Sequence, residues 1–275
     1  MQIYNTVTLN PRAEDGIQPE RECDGRALSL VERVVREFEA RAHTAIPGFS
    51  FRIEGDVPIS RGLGSSVTVL AGVLAGLNHW SGDLIDEREL VKLLTRLEGH
   101  PDNATAGFWG GFCVSLCGQT AADFEEIVRV EIPASLKFVV ASPDLEIATK
   151  GSREVLPRQV SHGEATRSIN SAAFLTAAMA TGDFSKLRGA AFDFMHEPYR
   201  LPGIKGGADA IQAGLRVGAL TGWLSGSGSS VLCVALDSEA KEVAQAMQAA
   251  FEAAETKSDV RILSADNDGL TIESD

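Results

Sequence analysis

The chain contains a glycine- and serine-rich segment, Pro58-Ile59-Ser60-Arg61-Gly62-Leu63-Gly64-Ser65-Ser66. It lies between a strand-like and a helix-like pattern of apolar residues. Residues 51–57 before it alternate in polarity, which predicts a strand, and residues 67–77 after it are small and apolar, which predicts a buried helix. A turn at such a junction offers free backbone N–H groups and the positive end of a helix dipole, which suit a phosphate group. The alternative is a glycine turn with a purely structural role. The segment is not a Walker A loop, because no Gly-Lys-Ser/Thr follows at the required spacing.

The composition limits the classes of partner. The chain has 275 residues, enough for one large domain or two lobes, and its net charge of -13 argues against nucleic acid or an anionic membrane as the main partner. No apolar run is long enough to predict a membrane span, and the N-terminus lacks the pattern of a signal peptide. The four cysteines lack zinc-site spacing, which favours free buried thiols and a cytoplasmic location.

The periodicity along the rest of the chain predicts an α+β fold. Helices are expected at residues 28–42, 87–97 (capped by Asp86), 163–181, 183–194, 208–217 and 240–254. Strands are expected at residues 3–9, 51–57, 111–116, 128–132, 136–141, 222–224, 230–236 and 260–263, with a polar loop at 11–26. Helices and strands alternate irregularly, which favours α+β over a doubly wound parallel sheet. We place the division between two lobes near Pro133, giving residues 1–133 and 134–275.

Further segments turn the glycine turn into part of a set. Glu98-Gly99-His100-Pro101-Asp102-Asn103 leads to Gly110-Gly111-Phe112, and a second turn reads Leu224-Ser225-Gly226-Ser227-Gly228-Ser229-Ser230. Together they resemble the signature set of the GHMP small-molecule kinases. His196-Glu197-Pro198-Tyr199-Arg200, and Thr149 with Arg153 four residues on, resemble the homoserine kinases most closely within that superfamily. The resemblance covers nearly the whole chain in the family's order.

The resemblance implies a fold and a reaction. The fold would be a two-lobe GHMP-kinase fold, with the phosphate loop in the N-terminal lobe, a ferredoxin-like C-terminal lobe and the active site between them. The reaction would be ATP-dependent phosphorylation of the L-homoserine hydroxyl to O-phospho-L-homoserine, in threonine biosynthesis. ATP and Mg²⁺ would be required. Enzymes of this family are often dimers, so a homodimer is a further expectation.

The resemblance also assigns residues to the nucleotide and the metal. The residues expected around the ATP phosphates are Pro58, Arg61, Gly62, Leu63, Gly64, Ser65 and Ser66. Ser66 and Glu98 would hold Mg²⁺, a cation that prefers oxygen ligands and usually takes one or two carboxylates together with phosphate. The alternative for Glu98 is a solvated residue at the end of a helix.

The acceptor side rests on four polar residues and two arginines. By resemblance, His100, Asn103, Thr149, Arg153 and Arg200 would bind the amino-acid substrate, and Asp102, Arg153 and Arg200 would act in catalysis. From the residues alone, an arginine fork suits a carboxylate or a phosphoryl group, and a surface salt bridge is the alternative. Asp102 and Asn103 either orient the substrate or cap the next helix. No residue in the chain is required as a general base.

The chain departs from the family pattern at its start. The usual opening, which resembles Pro-Ala-Ser/Thr-x-Ala-Asn-Leu-Gly-x-Gly-Phe-Asp, is missing, and Ile3-Tyr4-Asn5 resembles the family's second strand. We therefore expect either a longer protein or a shortened homologue of reduced activity. Two alternatives to a homoserine kinase stay open: another GHMP kinase with a different small alcohol as substrate, and a catalytically weak nucleotide- or metabolite-binding homologue.

Overall fold

The structure is a computed structural model that describes residues 1–147, 149–188 and 190–274, without the side chains of Thr149, Lys150 and Arg153. The chain forms two compact units. The first unit comprises Ile3–Val57, Gly64–Arg129 and the tail from Asn267. The second unit comprises residues 1–2, Pro58–Leu63 and Val130–Asp266. The lobes predicted from the sequence, residues 1–133 and 134–275, stay a prediction alongside this division.

Helices and strands alternate irregularly along the chain. The strands within the described residues are β1 (Asn5–Pro11), β2 (Ile17–Pro19), β3 (Phe49–Gly55), β4 (Phe112–Cys117), β5 (Phe124–Val130), β6 (Leu136–Pro143), β7 (Thr221–Leu224), β8 (Val231–Leu236) and β9 (Ser258–Ser264). The α-helices there are α1 (Leu28–Ala42), α2 (Ser65–Trp80), α3 (Glu87–Glu98), α4 (Asp102–Trp109), α5 (Thr149–Glu154), α6 (His162–Thr181), α7 (Glu197–Arg200), α8 (Gly207–Arg216) and α9 (Asp237–Ala253). Short 3-10 turns lie at Glu22–Ala27, Phe184–Leu187 and Leu201–Gly203.

The first unit is built around the buried helix α2. Its three-stranded sheet has the order β1-β3-β2, with β1 antiparallel and β2 parallel to β3, and β4 pairs with β5 in a separate two-stranded sheet. Helix α2 packs against β1 and against α1, α3 and α4. Gly72 and Gly76 allow this close approach, because a Cβ at either position would lie 2.7 Å from Val7 Cγ2 or 2.8 Å from Leu9 Cδ1. The small residues of α2 therefore reflect its central position.

The second unit is a four-stranded antiparallel sheet covered by two helices. The strand order is β7-β8-β6-β9, and every neighbouring pair is antiparallel. Helices α8 and α9 pack against each other and on this sheet. The apolar core between them includes Val139, Val231, Val243, Met247 and Phe251, all fully buried. This order and connectivity confirm the ferredoxin-like arrangement expected for the C-terminal lobe.

Most predicted elements are present, and three need correction. The polar segment 11–26 is not only a loop, because it contains β2 and a 3-10 turn. Strand β5 begins at Phe124, four residues before the predicted start at 128, since Phe124 packs into the core. The helix predicted at 183–194 is wrong: among the described residues of this segment, only Phe184–Leu187 is helical, as a 3-10 turn. Beyond it the backbone is bonded to α6, where Ser171 and Ser168 accept the N–H groups of Phe192 and Phe194.

The helix starts follow their sequence signals. Helix α1 has the predicted bounds, and the Asp86 carboxylate accepts the N–H of Glu89 at 2.9 Å as the cap of α3.

Of the four free cysteines only Cys233 is buried, which corrects the expectation that all four are. Among the helices that the structure describes, none has the length and apolar character needed to cross a membrane.

Candidate active site

We call residues 58–66 the glycine loop. The boundary between the second unit and the first lies within it, between Leu63 and Gly64. Gly62 and Gly64 both have φ of 75°, in the left-handed region that favours glycine. Around Gly62 the space is closed as well, because a Cβ there would lie 2.0 Å from the Ser225 carbonyl oxygen. Ser225 Oγ donates to the Gly62 carbonyl at 2.8 Å. The second glycine turn of the chain therefore holds the front half of the loop.

Arg61 stabilises the same half of the loop. Its side chain is only 17% exposed, donates to the Pro143 carbonyl and pairs with Asp144 at 2.6 Å. The Ser230 N–H donates to the Arg61 carbonyl at 3.1 Å. The Arg61 guanidinium is thus engaged by the end of β6, and a part in holding the nucleotide stays a prediction, as it does for the half-buried Pro58 and Leu63.

The rear half of the loop opens α2. Gly64 occupies the N-cap position, no described side chain caps this end, and Ser65 and Ser66 are the first residues of the 16-residue helix. The first N–H groups of an α-helix have no partner within the helix, and the helix dipole places partial positive charge there. Both features suit an anion, and a phosphate beside Gly64, Ser65 and Ser66 stays a prediction.

Ser66 and Glu98 form the oxygen-rich part of the site. Ser66 Oγ lies 3.2 Å from both carboxylate oxygens of Glu98, and the Glu98 side chain is 13% exposed. Burial raises the pKa of Glu98, although the neighbouring His100 and the Ser66 hydroxyl oppose the shift. Glu98 is therefore not the solvated helix end that was the alternative. A hydroxyl and a carboxylate in contact are ligands of the kind that Mg²⁺ prefers.

His100, Asp102 and Asn103 lie beside this pair in the same unit. Helix α3 ends at Glu98, and α4 begins three residues after Gly99. The His100 Nδ1 atom is hydrogen-bonded to the Asp102 carboxylate, and its Nε2 atom lies 3.9 Å from Glu98 Oε1. A carboxylate can only accept, so Nδ1 carries the proton and the tautomer is fixed. The Asn103 side chain lies next to Gly64, within 3.6 Å of a Cβ built there.

Both alternatives for Asp102 have support in its contacts. Pro101 occupies the N-cap position of α4, and Asp102 is the first helical residue. The Asp102 carboxylate is bonded to His100 and also to the backbone of Asn103 and of Asp102 itself, in the first turn of the helix. A part in orienting the substrate stays a prediction.

Arg200 is the predicted acceptor-side residue that the structure describes in the second unit. Its Nε donates to the Ser152 carbonyl at 2.9 Å and its Nη1 to the Gly226 carbonyl at 3.4 Å. These contacts join α7 to α5 and to the second glycine turn, which differs from the surface salt bridge considered as the alternative. The side chains of Thr149 and Arg153, which belong to α5, lie outside the described residues.

The sequence did not identify the groups that support Arg200. Asp193 accepts the backbone N–H groups of Met195, His196 and Glu197, and Glu197 Oε1 accepts the N–H of Leu224 at 3.3 Å. Burial raises the pKa of Glu197 to about 7, with a smaller contribution from the charge of Asp193. An acidic residue shortly before a proline-containing turn is a signal for such a cap.

Two family models match the chain. The GHMP kinases N terminal domain matches residues 29–111, and the GHMP kinases C terminal domain matches residues 175–253. A homoserine kinase from Moorella thermoacetica is 36% identical over 271 residues, covering 95% of this chain and 90% of that protein. A homoserine kinase from Helicobacter hepaticus is 31% identical over 278 residues, covering 99% and 92%.

A solved structure agrees with the fold. The crystal structure of a homoserine kinase from Cytophaga hutchinsonii superposes with a TM-score of 0.85 at 24% identity, covering 96% of this chain and 86% of that one. At that identity the likeness concerns the fold alone.

Proposed function

The chain belongs to the homoserine kinases of the GHMP kinase family, and from this we propose that it transfers the γ-phosphoryl group of ATP to the side-chain hydroxyl of L-homoserine. The bond from the γ-phosphorus to the bridging oxygen breaks, a bond from phosphorus to the homoserine oxygen forms, and the hydroxyl proton is released. The products are ADP and O-phospho-L-homoserine, an intermediate of threonine biosynthesis.

On the nucleotide side, the phosphate site consists mainly of backbone N–H groups and not of charged side chains. The N–H groups at the start of α2 and of the glycine loop bind phosphate oxygens, and Gly62 and Gly64 let the backbone approach them. Phosphoryl transfer is catalysed mainly by positioning and by stabilising the charge on the transferred group. The loop meets the first of these needs.

Ser66 and Glu98 fit Mg²⁺, which would neutralise part of the phosphate charge when bound. Their three oxygens lie together, and Glu98 is buried enough to gain from a cation beside it. No group of three or more histidine, cysteine, aspartate or glutamate side chains arranged for a metal occurs among the described residues. That arrangement suits an ion that takes its remaining ligands from phosphate and water.

On the acceptor side, we assign Arg200 and Arg153 to the carboxylate and the transferred group, and Thr149, His100 and Asn103 to the amino acid. The Arg200 guanidinium donates to the Ser152 and Gly226 carbonyls, and its planar fork suits a carboxylate or a phosphoryl group. Asp102 fixes the proton on His100 Nδ1 and so orients the ring that we assign to the amino acid.

The observation that carries the proposal is the Ser66–Glu98 contact at the N-terminus of α2. A half-buried carboxylate with a raised pKa, placed beside an uncapped helix N-terminus, favours a cation and a phosphate at one place. A purely structural turn would not require the carboxylate.

The test is an ADP-release assay with ATP, Mg²⁺ and a panel of acceptors: L-homoserine, L-serine, L-threonine, galactose and mevalonate. We expect turnover with L-homoserine, and ³¹P NMR should identify a phosphomonoester on its side chain. Preferred turnover of another alcohol would instead support a different GHMP kinase. ATP binding in calorimetry without turnover of any acceptor would support the weak binding homologue.

A further inference from the structure

Helix α7, which carries Arg200, cannot hold its own orientation. It has four residues, and Pro198 within it has no N–H to donate. A single helical turn is unfavourable by itself, because few hydrogen bonds offset the ordering of its backbone. Its position therefore depends on the side chains that connect it to neighbouring elements of the second unit.

Three side chains make these connections. The Asp193 carboxylate accepts the N–H groups at the start of the turn, at 2.8–2.9 Å from Met195 and His196. Arg200 reaches the carbonyls of Ser152 and Gly226. Glu197, three residues before Arg200 and so on the same side of the turn, accepts the N–H of Leu224.

Glu197 and Arg200 thus hold two points that lie close together in the chain. Leu224 ends β7, and Gly226 lies two residues further, in the turn that also contacts the phosphate loop at Gly62. Of the two contacts, only the one from Glu197 fixes α7 to this region without using the Arg200 guanidinium. If Glu197 were absent, the orientation of α7 toward β7 would rest on Arg200 itself.

We propose that Glu197 is a positioning residue for Arg200: its carboxylate fixes α7 to the end of β7 and so presents the guanidinium to the acceptor substrate. The proposal rests on the function proposed above and deepens it. Glu197 does not need to touch the substrate in this role. Its effect should therefore appear in the affinity for the acceptor and not in the affinity for ATP.

The surroundings of Glu197 make this contact sensitive to pH. The carboxylate lines a cavity of about 270 Å³ with Asp193, His196, Trp223 and neutral residues of α6. Backbone hydrogen bonds outweigh the burial of Asp193 and lower its pKa, while burial lowers the pKa of His196. Among the described residues of these elements, Arg200 lies on the same turn and acts on His196, and the Arg167 guanidinium of α6 lies 4.2 Å from the Phe194 ring centre.

Around pH 7 the group that changes charge in this cavity is therefore Glu197. Above its pKa the carboxylate is ionised, and an ionised acceptor forms the stronger hydrogen bond with the Leu224 N–H. The affinity for the acceptor should rise as the pH increases through about 7. A glutamine at this position keeps an oxygen acceptor but cannot ionise, so it should lack this step.

The experiment compares Glu197→Ala, Glu197→Gln and, as a matched control, Glu242→Ala at an exposed glutamate of α9. Loss of one hydrogen bond to a charged acceptor predicts a KM for homoserine raised about tenfold in Glu197→Ala, with the KM for ATP within about twofold of wild type. Glu197→Gln should restore most of the loss at pH 6, where the wild-type carboxyl is also largely neutral, and Glu242→Ala should behave as wild type. The ratio of the homoserine KM values of Glu197→Gln and wild type should rise severalfold between pH 6 and pH 8.

Three results would overturn the proposal: an unchanged homoserine KM in Glu197→Ala, an equal rise of both KM values, or a pH-independent ratio for Glu197→Gln. If the alanine variant does not fold, Glu197→Leu removes the acceptor while keeping most of the volume. Hydrogen exchange gives a readout that does not depend on activity, because Glu197→Ala should expose the amides of residues 221–226. A wild-type protein inactive on homoserine would refute the proposed function, whereas unchanged exchange would refute the positioning contact.

Discussion

Glu98→Gln separates a functional carboxylate from a structural one, because it should change stability and activity in opposite directions. The glutamine has nearly the same shape, and its amide oxygen can still accept from Ser66 Oγ, now 3.2 Å from both carboxylate oxygens. The substitution removes the charge and little else. Helix α3 ends at this residue, so no helical hydrogen-bond pattern is interrupted.

The effect on stability follows from the raised pKa of Glu98, caused mainly by burial. A carboxyl group whose pKa is higher in the folded protein than in the unfolded chain makes folding less favourable as the pH rises through that range. Above it the wild type holds a buried charge that the glutamine variant lacks. We expect the melting temperature of Glu98→Gln at pH 8 to equal or exceed that of the wild type, and the difference to shrink on acidification.

The effect on activity has the other sign. The variant loses the anionic ligand expected for Mg²⁺, and losing even an outer partner of a metal ligand typically costs about 10–100-fold in affinity or activity. We therefore expect kcat/KM to fall at least about 100-fold, and the Mg²⁺ concentration for half-maximal rate to rise.

The assay measures initial rates of ADP release against free Mg²⁺, with thermal unfolding at pH 5 and pH 8 on the same samples. Ser66→Ala is the companion variant, since it removes the other ligand while leaving the charge of Glu98. A Glu98→Gln protein that is less stable at pH 8 but shows an unchanged dependence on Mg²⁺ would refute the reasoning, because Glu98 would then be a structural residue.

Three further predictions use other contacts. Gly62 and Gly64 have the same φ of 75°, but only a Cβ at position 62 would overlap a backbone atom. Gly62→Ala should therefore have a free energy of unfolding in urea about 1–3 kcal/mol below that of Gly64→Ala, and equal losses in the two variants would contradict this. Arg200→Lys should raise the KM for homoserine at least about tenfold with ATP binding in calorimetry unchanged, and a matching loss of ATP affinity would argue against its assignment. Asp102→Asn should lower kcat/KM for homoserine by about tenfold or more because His100 loses a charged partner; full activity would remove this role.

The fold was largely predictable because several elements have a strong period of their own, and α3 also has a strong cap. Helix α1 and the Asp86 cap of α3 lie where the local signals placed them. The helix predicted at 183–194 does not form because side chains outside the segment bind its backbone N–H groups. Ser168 and Ser171 bind its backbone N–H groups, and Asp193 binds those that follow. A local period cannot reveal partners supplied by another helix.

Candidate site residues could be found from the sequence where they stand together in a short segment. His100 and Asp102 are two residues apart, and the structure brings their side chains into contact. The contact of Glu197 with Leu224 joins residues 27 positions apart, and the motif that contains Glu197 does not indicate this partner. Its function depends on a distance that only the folded chain defines.

The candidate nucleotide residues also divide by how far their bonding is satisfied. Arg61 has a carbonyl and a carboxylate as partners, and its charge is largely neutralised by Asp144. By contrast, the start of α2 has no cap among the described side chains, and Glu98 is buried with a raised pKa. Groups that a fold leaves in such an unfavourable state gain most from a bound ligand, because binding supplies the missing partner. For this reason we propose that the phosphate and the cation bind at the Gly64–Ser66 end of the loop and that Arg61 holds the other end in position.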